Sequence, residues 1–131
     1  LPEKKILQVG IRSGTKEEFK FMSQKKQLVK FLPGGNAQEF KKALLPYSNS
    51  PIYLTIDLDW FDPSLLPGTG TPEPGGFFWN DFEVILETLK EFRIVASDIV
   101  ELSPEIDNSG VSSIVAAKVL RSLIMSVQNM Q

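Results

Sequence analysis

The sequence predicts an α/β fold with a mainly parallel sheet. Strand-like apolar runs at residues 5–11, 52–57 and 93–101 are separated by stretches with helical periodicity. Strands that alternate with helices favour parallel pairing, with helices on both faces of the sheet. The three or four strands predicted here would leave sheet edges and apolar helix faces uncovered, so we expect part of a larger domain.

The strand signals differ in strength. Residues 52–54 and 56 are apolar without alternation, which is typical of a strand buried on both faces. Residues 93–101 predict a second buried strand, and residues 27–32 favour a shorter one. Between residues 62 and 76 the chain is rich in Gly, Pro and Thr, which indicates a long, stiff loop after the central strand.

Helix starts are marked by cap residues three positions ahead of an acid. A last amphipathic helix is expected from residue 111 to the C-terminus. The cap pairs in chain order are Thr15 with Glu18, Asn36 with Glu39, and Asn80 with Glu83.

Composition indicates one ordinary soluble domain piece spanning residues 1–131. The chain is 42% hydrophobic and 23% charged with net charge −2, so we expect neither nucleic acid nor a membrane as partner. No apolar run is long enough to cross a bilayer and no signal-peptide pattern opens the chain, so a cytoplasmic location is expected. Because the chain begins at Leu1, we expect a fragment of a longer protein or one partner of a split one.

Two residue types are missing from the composition. With 0 Cys the chain has no disulfide, thiolate zinc site or cysteine nucleophile. With 0 His it lacks the commonest general base and the commonest transition-metal ligand.

Three acids are expected at one edge of the sheet, where parallel strands end and ligands bind. Asp57 and Asp59 are two positions apart, which on a strand places their Cα atoms roughly 6.5 Å apart on one side. Hard carboxylate oxygens suit Mg²⁺, Ca²⁺ or Mn²⁺, and this pair could serve two ions about 3.5–4 Å apart. The alternative is that both aspartates only cap turns. Glu101 ends the neighbouring strand and is either satisfied by backbone amides or available for a cationic group.

Other polar and aromatic side chains surround this edge. Thr71 offers a hydroxyl, although a loop threonine usually only orders its loop. Asp62 is expected to cap the turn at Pro63, and Asp98 faces away from Glu101 and is interpreted as structural. The aromatic residues are expected in the core or a subunit contact, or else at a pocket mouth: Trp60, Phe61, Phe77, Phe78 and Trp79.

A different enzyme class uses the same short motif. A metal-dependent glycosyltransferase binds a nucleotide-sugar diphosphate through DxD and Mn²⁺. That hypothesis would require a nucleotide-binding region, which the sequence does not show, and leaves the GTGTPEPGG segment unexplained.

Residues 55–76, TIDLDWFDPSLLPGTGTPEPGG, resemble the C-terminal signature of the ureohydrolase family: arginases, agmatinases, guanidinobutyrases and formiminoglutamases. In that family an S/T-x-D-x-D-x-x-D-P stretch leads into a G-T-G-T-P loop. ASDIVELSPEID resembles the later D-I-x-E-x-x-P strand, and VGIRSGTKEEF resembles the strand and helix before the signature. The Pro-Glu-Pro-Gly-Gly segment is most similar to agmatinases.

The resemblance implies the C-terminal part of a three-layer αβα sandwich and a binuclear Mn²⁺ centre. By residue, Asp57 would bridge both ions, Asp59 would bind one, and Glu101 would hold the substrate guanidinium with Thr71 close by. Such enzymes hydrolyse a guanidinium to urea and an amine, here agmatine to urea and putrescine, and commonly form trimers or hexamers. Other specificities within the family, namely arginase, guanidinobutyrase and formiminoglutamase, remain alternatives.

The chain departs from the family because the upstream histidine and the Asp-x-His-x-Asp cluster are both absent. Two aspartates cannot complete two metal coordination spheres. We therefore expect the isolated chain to be inactive and to need the upstream half of the enzyme. The alternative is a non-catalytic remnant or an assembly subunit with the same fold.

Overall fold

Two parallel strand pairs form the framework of the chain. A computed structural model describes residues 5–128. The strands are β1 (Gln8–Val9), β2 (Leu28–Val29), β3 (Ile52–Asp57) and β4 (Ile94–Val100). β1 pairs with β2 and β3 pairs with β4, both in parallel. The predicted parallel pairing is confirmed, although β1 and β2 are much shorter than the apolar runs at 5–11 and 27–32.

Helices connect the strands. They are α1 (Lys16–Gln24), α2 (Gln38–Leu44), α3 (Trp79–Leu89) and α4 (Val111–Gln128), with 3₁₀ turns at Leu45–Tyr47, Leu58–Trp60 and Pro104–Ile106. The predicted continuation of the last helix to residue 131, and the ends of the predicted 1–131 domain piece, lie outside the described residues. No helix within residues 5–128 has the length and hydropathy needed to span a bilayer.

The helix caps confirm one prediction and correct two. At α1 the Thr15 hydroxyl accepts a hydrogen bond from the Glu18 amide, and Glu18 accepts one from the Thr15 amide. α2 begins after Ala37, which gives no side-chain cap, so the Asn36–Glu39 prediction is wrong. Asn36 instead accepts from the Gln38 amide in a local turn.

The Asn80–Glu83 prediction for α3 is also wrong, because the helix starts two residues earlier. Phe78 is its N-cap residue, and the Asp81 carboxylate accepts the Phe78 amide at 2.8 Å. The other Asp81 oxygen accepts the Gly34 amide at 2.6 Å, which links α3 to the turn after β2. Asp81 satisfies both the helix start and a distant turn, so its position decides where α3 begins.

The main core lies on one face of the β3–β4 pair. Leu54, Ile56 and Ile99 on that face pack against side chains of the Leu58–Trp60 turn, α3 and α4. The buried members of this cluster are Leu58, Phe61, Leu66, Phe82, Ala116, Val119 and Leu123. A second cluster joins α2 and the end of α3 to Ile94 and the β1–β2 pair.

The opposite face of β3 is open. Burial alternates along the strand, and Tyr53 is 60% exposed. Val95 and Val100 of β4 are exposed as well. The prediction of a strand buried on both faces is therefore wrong for this chain. Its apolar side chains lie on both faces of the strand, but the described residues cover only one face. Tyr53 and Thr55 both donate hydrogen bonds to Asp98 of β4, which confirms the structural interpretation of Asp98.

A closed loop follows β3. Phe61 and Phe77 form an isolated parallel bridge, in which Phe77 accepts the Asp62 amide and donates to Trp60. The Asp62 carboxylate then accepts hydrogen bonds from the Ser64 amide and hydroxyl and from the amides of Gly75 and Gly76. The predicted cap at Pro63 is confirmed, and the same side chain also closes the far end of the loop.

Close packing at Gly76 accompanies this closure. A β-carbon on Gly76 would lie 2.5 Å from the Asp62 nitrogen, so only glycine fits there. The hydrogen bonds lower the pKa of Asp62 from 3.8 to about 2, the Ser64 side chain contributing most. The loop is therefore most firmly closed when Asp62 is ionised.

Leu58→Ala should destabilise the chain severely. Leu58 is fully buried (0% exposed), and removing a buried leucine side chain costs about 2–5 kcal/mol. Leu120→Ala is the matched control because Leu120 is 51% exposed, and it should change the free energy of unfolding by less than about 0.5 kcal/mol. Urea unfolding measures both; equal losses would contradict the assigned core.

Asp62→Asn should lower stability in a pH-dependent way. The folded-state pKa of Asp62 is depressed, so its contribution is fully present above the unfolded value of 3.8 and is lost as pH falls towards about 2. The difference in urea midpoint between wild type and Asp62→Asn should be largest above pH 4 and shrink as the pH falls through about 2, because Asp62 becomes neutral only below its folded-state pKa. A difference that stayed constant from pH 6 to pH 2 would refute this role.

Candidate functional site

The end of β3 fixes the first two acids. β3 stops at Asp57, whose Oδ1 accepts the Asp59 amide at 2.9 Å and so caps the 3₁₀ turn Leu58–Trp60. Asp59 therefore lies in that turn and not on the strand, which corrects the expectation of two strand residues on one side. The capping role considered for these aspartates holds for Asp57.

Asp59 meets the loop through Thr71. The Thr71 hydroxyl donates to Asp59 Oδ2 at 2.6 Å, across 12 residues of sequence. Asp59 Oδ1 is buried and has no hydrogen-bond partner. A buried carboxylate oxygen without a partner is costly, and such atoms in folded proteins commonly await a ligand or ion.

Glu101 reaches the same loop from β4. Asp57 is in register with Val100, so Glu101 follows β4 at the edge where Asp57 ends β3. Its φ of +70° is left-handed, which ends the strand and breaks the alternation of side chains. Glu101 Oε2 would lie 3.9 Å from a β-carbon on Gly70, the residue before Thr71. Backbone strain of this kind at a non-glycine residue clusters at functional sites.

Hydrogen bonds hold the loop against the segment that contains Glu101. The Gly68 carbonyl accepts the Ser103 amide at 2.8 Å, and the Gly68 amide donates to the buried Ser112 hydroxyl at 2.7 Å. A β-carbon on Gly68 would lie 2.8 Å from Ser112, so the close approach requires glycine. Asp107 accepts the Ser112 amide and fixes the start of α4 beneath the loop.

Charge at the edge favours a cation. Burial raises the pKa of Asp57 above its ordinary value, and the neighbouring Asp59 charge acts in the same direction. The hydrogen bond from the Asp59 amide and the Arg12 charge act in the opposite direction. Two close carboxylates and an unpartnered buried oxygen fit a hard metal ion. Residues 5–128 nevertheless contain no group of three or more acids placed to hold one.

Sequence reasoning missed Arg12. Its Nη2 donates to the carbonyls of Asp59 at 2.6 Å and Glu73 at 2.8 Å, and its Nη1 donates to the Trp60 carbonyl at 3.0 Å. The available signal was position, because Arg12 follows β1 at the carboxyl side of a strand.

The aromatic residues are mainly structural. Phe77 stacks between Phe31 and Trp60, with ring centroids 5.4 and 4.2 Å apart. Phe61 and Phe77 are buried, as expected for core residues, whereas Phe78 is exposed. Because Trp60 belongs to the Leu58–Trp60 turn, this stack supports the turn that contains Asp59.

Comparison with known proteins gives a consistent result. The family model described as the Arginase family matches residues 1–126. The agmatinase of Pyrococcus horikoshii is 40% identical over 118 residues, which are 88% of this chain and 41% of that enzyme. A crystal structure of a candidate agmatinase from Clostridium difficile superposes with a TM-score of 0.84 at 47% identity, over 95% of this chain and 45% of that one.

Arginases share the fold as well. The Bacillus caldovelox arginase matches with a TM-score of 0.79 at 26% identity, over 92% of this chain and 43% of its own. The chain thus spans about two fifths of the length of these relatives. The predicted α/β sandwich fold is confirmed. From the family match over residues 1–126 and the agmatinases that align with most of its length, this chain belongs to the arginase family.

Proposed function

We propose that this chain is the C-terminal portion of a binuclear-manganese ureohydrolase that hydrolyses the guanidinium of agmatine to urea and putrescine. The observation that supports it most is the Asp59 carboxylate, with one oxygen bound by Thr71 and the other buried without a partner beside Asp57. The agmatinases among its relatives support the choice of agmatine.

Asp57 and Asp59 would hold the metal. Asp59 would contribute its unpartnered Oδ1, and Asp57 its carboxylate, to holding the Mn²⁺ ions. When bound, the two ions would supply Lewis-acid stabilisation and lower the pKa of a water shared between them. The amide of Asp59 fixes the orientation of Asp57, and the hydroxyl of Thr71 fixes that of Asp59.

Glu101 would hold the substrate. A guanidinium is a planar cation whose N–H groups pair with a carboxylate in two parallel hydrogen bonds. Glu101 is exposed and its carboxylate faces Gly70, where the lack of a side chain leaves room for a ligand. Binding the cation there would hold its central carbon near the two aspartates, and positioning of this kind is a large part of catalysis.

The remaining ligands and the cover of the sheet would come from the upstream half of the enzyme. The relatives are more than twice as long as this chain, and the exposed apolar side chains of Tyr53, Val95 and Val100 would suit a covering layer. Residues 1–131 would then be one piece of a larger domain. A cytoplasmic homo-oligomer, trimer or hexamer, completes the proposal, and exposed apolar residues of α4 such as Ile114 and Leu120 would suit subunit contacts.

One observation favours a second candidate. The described residues hold no group of three or more acids arranged for a metal, as expected for a non-catalytic assembly subunit of the same fold. The retained contact between Asp59 and Thr71 supports the enzyme instead, because an assembly role alone would not require it.

Replacing the matching segment of the Pyrococcus horikoshii agmatinase with this chain tests the proposal. With Mn²⁺ and agmatine, the hybrid enzyme should release urea, because the upstream half supplies the missing ligands. Asp57→Asn and Asp59→Asn should each lower kcat by about a hundredfold or more, since each removes a negatively charged ligand. Glu101→Gln should lower kcat/KM by a similar factor.

Glu105→Gln is the matched control, because Glu105 is exposed in the Pro104–Ile106 turn and contacts none of the site residues described above. Its kcat should stay within about twofold of the unsubstituted hybrid. The isolated chain should release no urea. A folded hybrid without activity would favour the assembly subunit, and turnover by the isolated chain would refute the incomplete metal site.

A further inference from the structure

One guanidinium joins two separate backbone segments beside the proposed site. Arg12 is 47 and 48 residues from Asp59 and Trp60 and 61 residues from Glu73, yet it donates a hydrogen bond to the carbonyl of each. All three distances lie between 2.6 and 3.0 Å. Bonds from a charged donor are stronger than those between neutral groups, so this is a firm cross-link.

The three carbonyls lie in two chain segments that contact each other. Asp59 and Trp60 lie in the turn before the loop, and Glu73 lies two residues after Thr71 within it. The Thr71 hydroxyl and the Asp59 carboxylate bridge the same two segments at 2.6 Å. By binding the Asp59 and Glu73 carbonyls, Arg12 fixes the distance between the two segments that the Thr71–Asp59 hydrogen bond connects.

Gly10 brings the arginine to this position. Its φ is +77°, and a β-carbon there would lie 2.4 Å from both Trp60 Nε1 and Phe77 Cε2. The backbone before Arg12 therefore rests directly on the stacked Trp60 and Phe77 rings. This packing fixes the position of the backbone from which the Arg12 side chain extends. The guanidinium therefore has little freedom to move away from the three carbonyls.

A lysine side chain could not make the same three hydrogen bonds. The guanidinium is a rigid fork, and here two of its nitrogens serve three acceptors that lie in different directions. Arg12 Nε is buried without a partner, so the side chain remains in place although one of its donors is unsatisfied. That arrangement indicates that the terminal contacts determine the position of the side chain.

We propose that Arg12 is a positioning residue, which holds the Asp59 carboxylate and the Thr71 hydroxyl in register for the proposed hydrolysis. It touches neither the substrate nor the reacting atoms, and it acts through the backbone of Asp59, Trp60 and Glu73. The reaction is named from the proposed function, but the geometric claim about Arg12 does not depend on it.

The geometric claim is tested in the chain itself by NMR. Wild type should give a nuclear Overhauser contact between the Thr71 methyl group and the Asp59 β-protons. It should also give slow hydrogen exchange at the Gly75 and Gly76 amides, which Asp62 holds. Arg12→Ala should abolish the contact and speed exchange at these two amides about tenfold or more.

Arg12→Lys keeps the charge and provides a second variant if Arg12→Ala fails to fold. It should restore exchange protection only in part, because one ammonium group cannot span all three carbonyls. Arg121→Ala is the matched control: Arg121 is exposed on α4, and its loss should leave both readouts unchanged. An intact Thr71–Asp59 contact in either Arg12 variant would overturn the proposal.

The functional claim is tested in the hybrid enzyme. A misplacement of about 1 Å near a reacting centre can cost roughly a hundredfold in rate, so Arg12→Ala should lower kcat by about ten- to a hundredfold. KM should stay within about threefold, since Glu101 remains in place, and Arg12→Lys should recover part of kcat. A rise in KM with unchanged kcat would overturn the role. A hybrid that is inactive without any substitution would reject the proposed function, and the NMR contact would still decide whether Arg12 holds Asp59 and Thr71.

Discussion

The hydrogen bond from the Asp59 amide to the Asp57 carboxylate ends β3, and the rest of the site is positioned from that turn. Since the strand stops at Asp57, Asp59 moves off the sheet into the 3₁₀ turn Leu58–Trp60, where Thr71 can reach it. The buried side chain of Leu58 anchors the same turn in the main core. A capping interaction and a core contact thus act on adjacent residues, which makes the turn rigid at the point where chemistry is proposed.

The loop after this turn is long but well fastened. Asp62 closes its ends, Gly68 is bonded to Ser112 and Ser103, and Arg12 binds the carbonyl of Glu73. Apart from the backbone bond between Gly68 and Ser103, these contacts use a carboxylate, a hydroxyl or a guanidinium to satisfy backbone groups that have no partner in a sheet or helix. An irregular segment can therefore be as precisely positioned as a strand, which is what a binding site on a loop requires.

Much of this arrangement was predictable from sequence. Alternating strand and helix patterns gave the fold class, and the position of Asp57, Asp59 and Glu101 at strand ends gave the correct edge. The resemblance of residues 55–76 to a known signature gave the family. What failed was local: Asp59 is not on the strand, because a carboxylate cap at Asp57 outweighs the apolar run that precedes it.

Other features could not be predicted because they depend on distant parts of the chain. Arg12 meets its three acceptors only after the loop has closed, and the start of α3 is decided by Asp81, which bonds Gly34 from another turn. The exposure of Tyr53 and Val95 has the same kind of cause, since an apolar sequence pattern does not say which polypeptide covers these side chains.

Paramagnetic broadening by Mn²⁺ tests most directly whether the acids at this edge share one cation. Substoichiometric Mn²⁺ added to the ¹⁵N-labelled chain should broaden the amide signals of residues 57–59, 70–71 and 101, because even weak binding relaxes nearby nuclei. The Asp57→Asn, Asp59→Asn double variant should lose that pattern. Broadening centred instead on surface acids such as Glu87 and Glu91, or the same pattern in the double variant, would contradict a cation site at the end of β3.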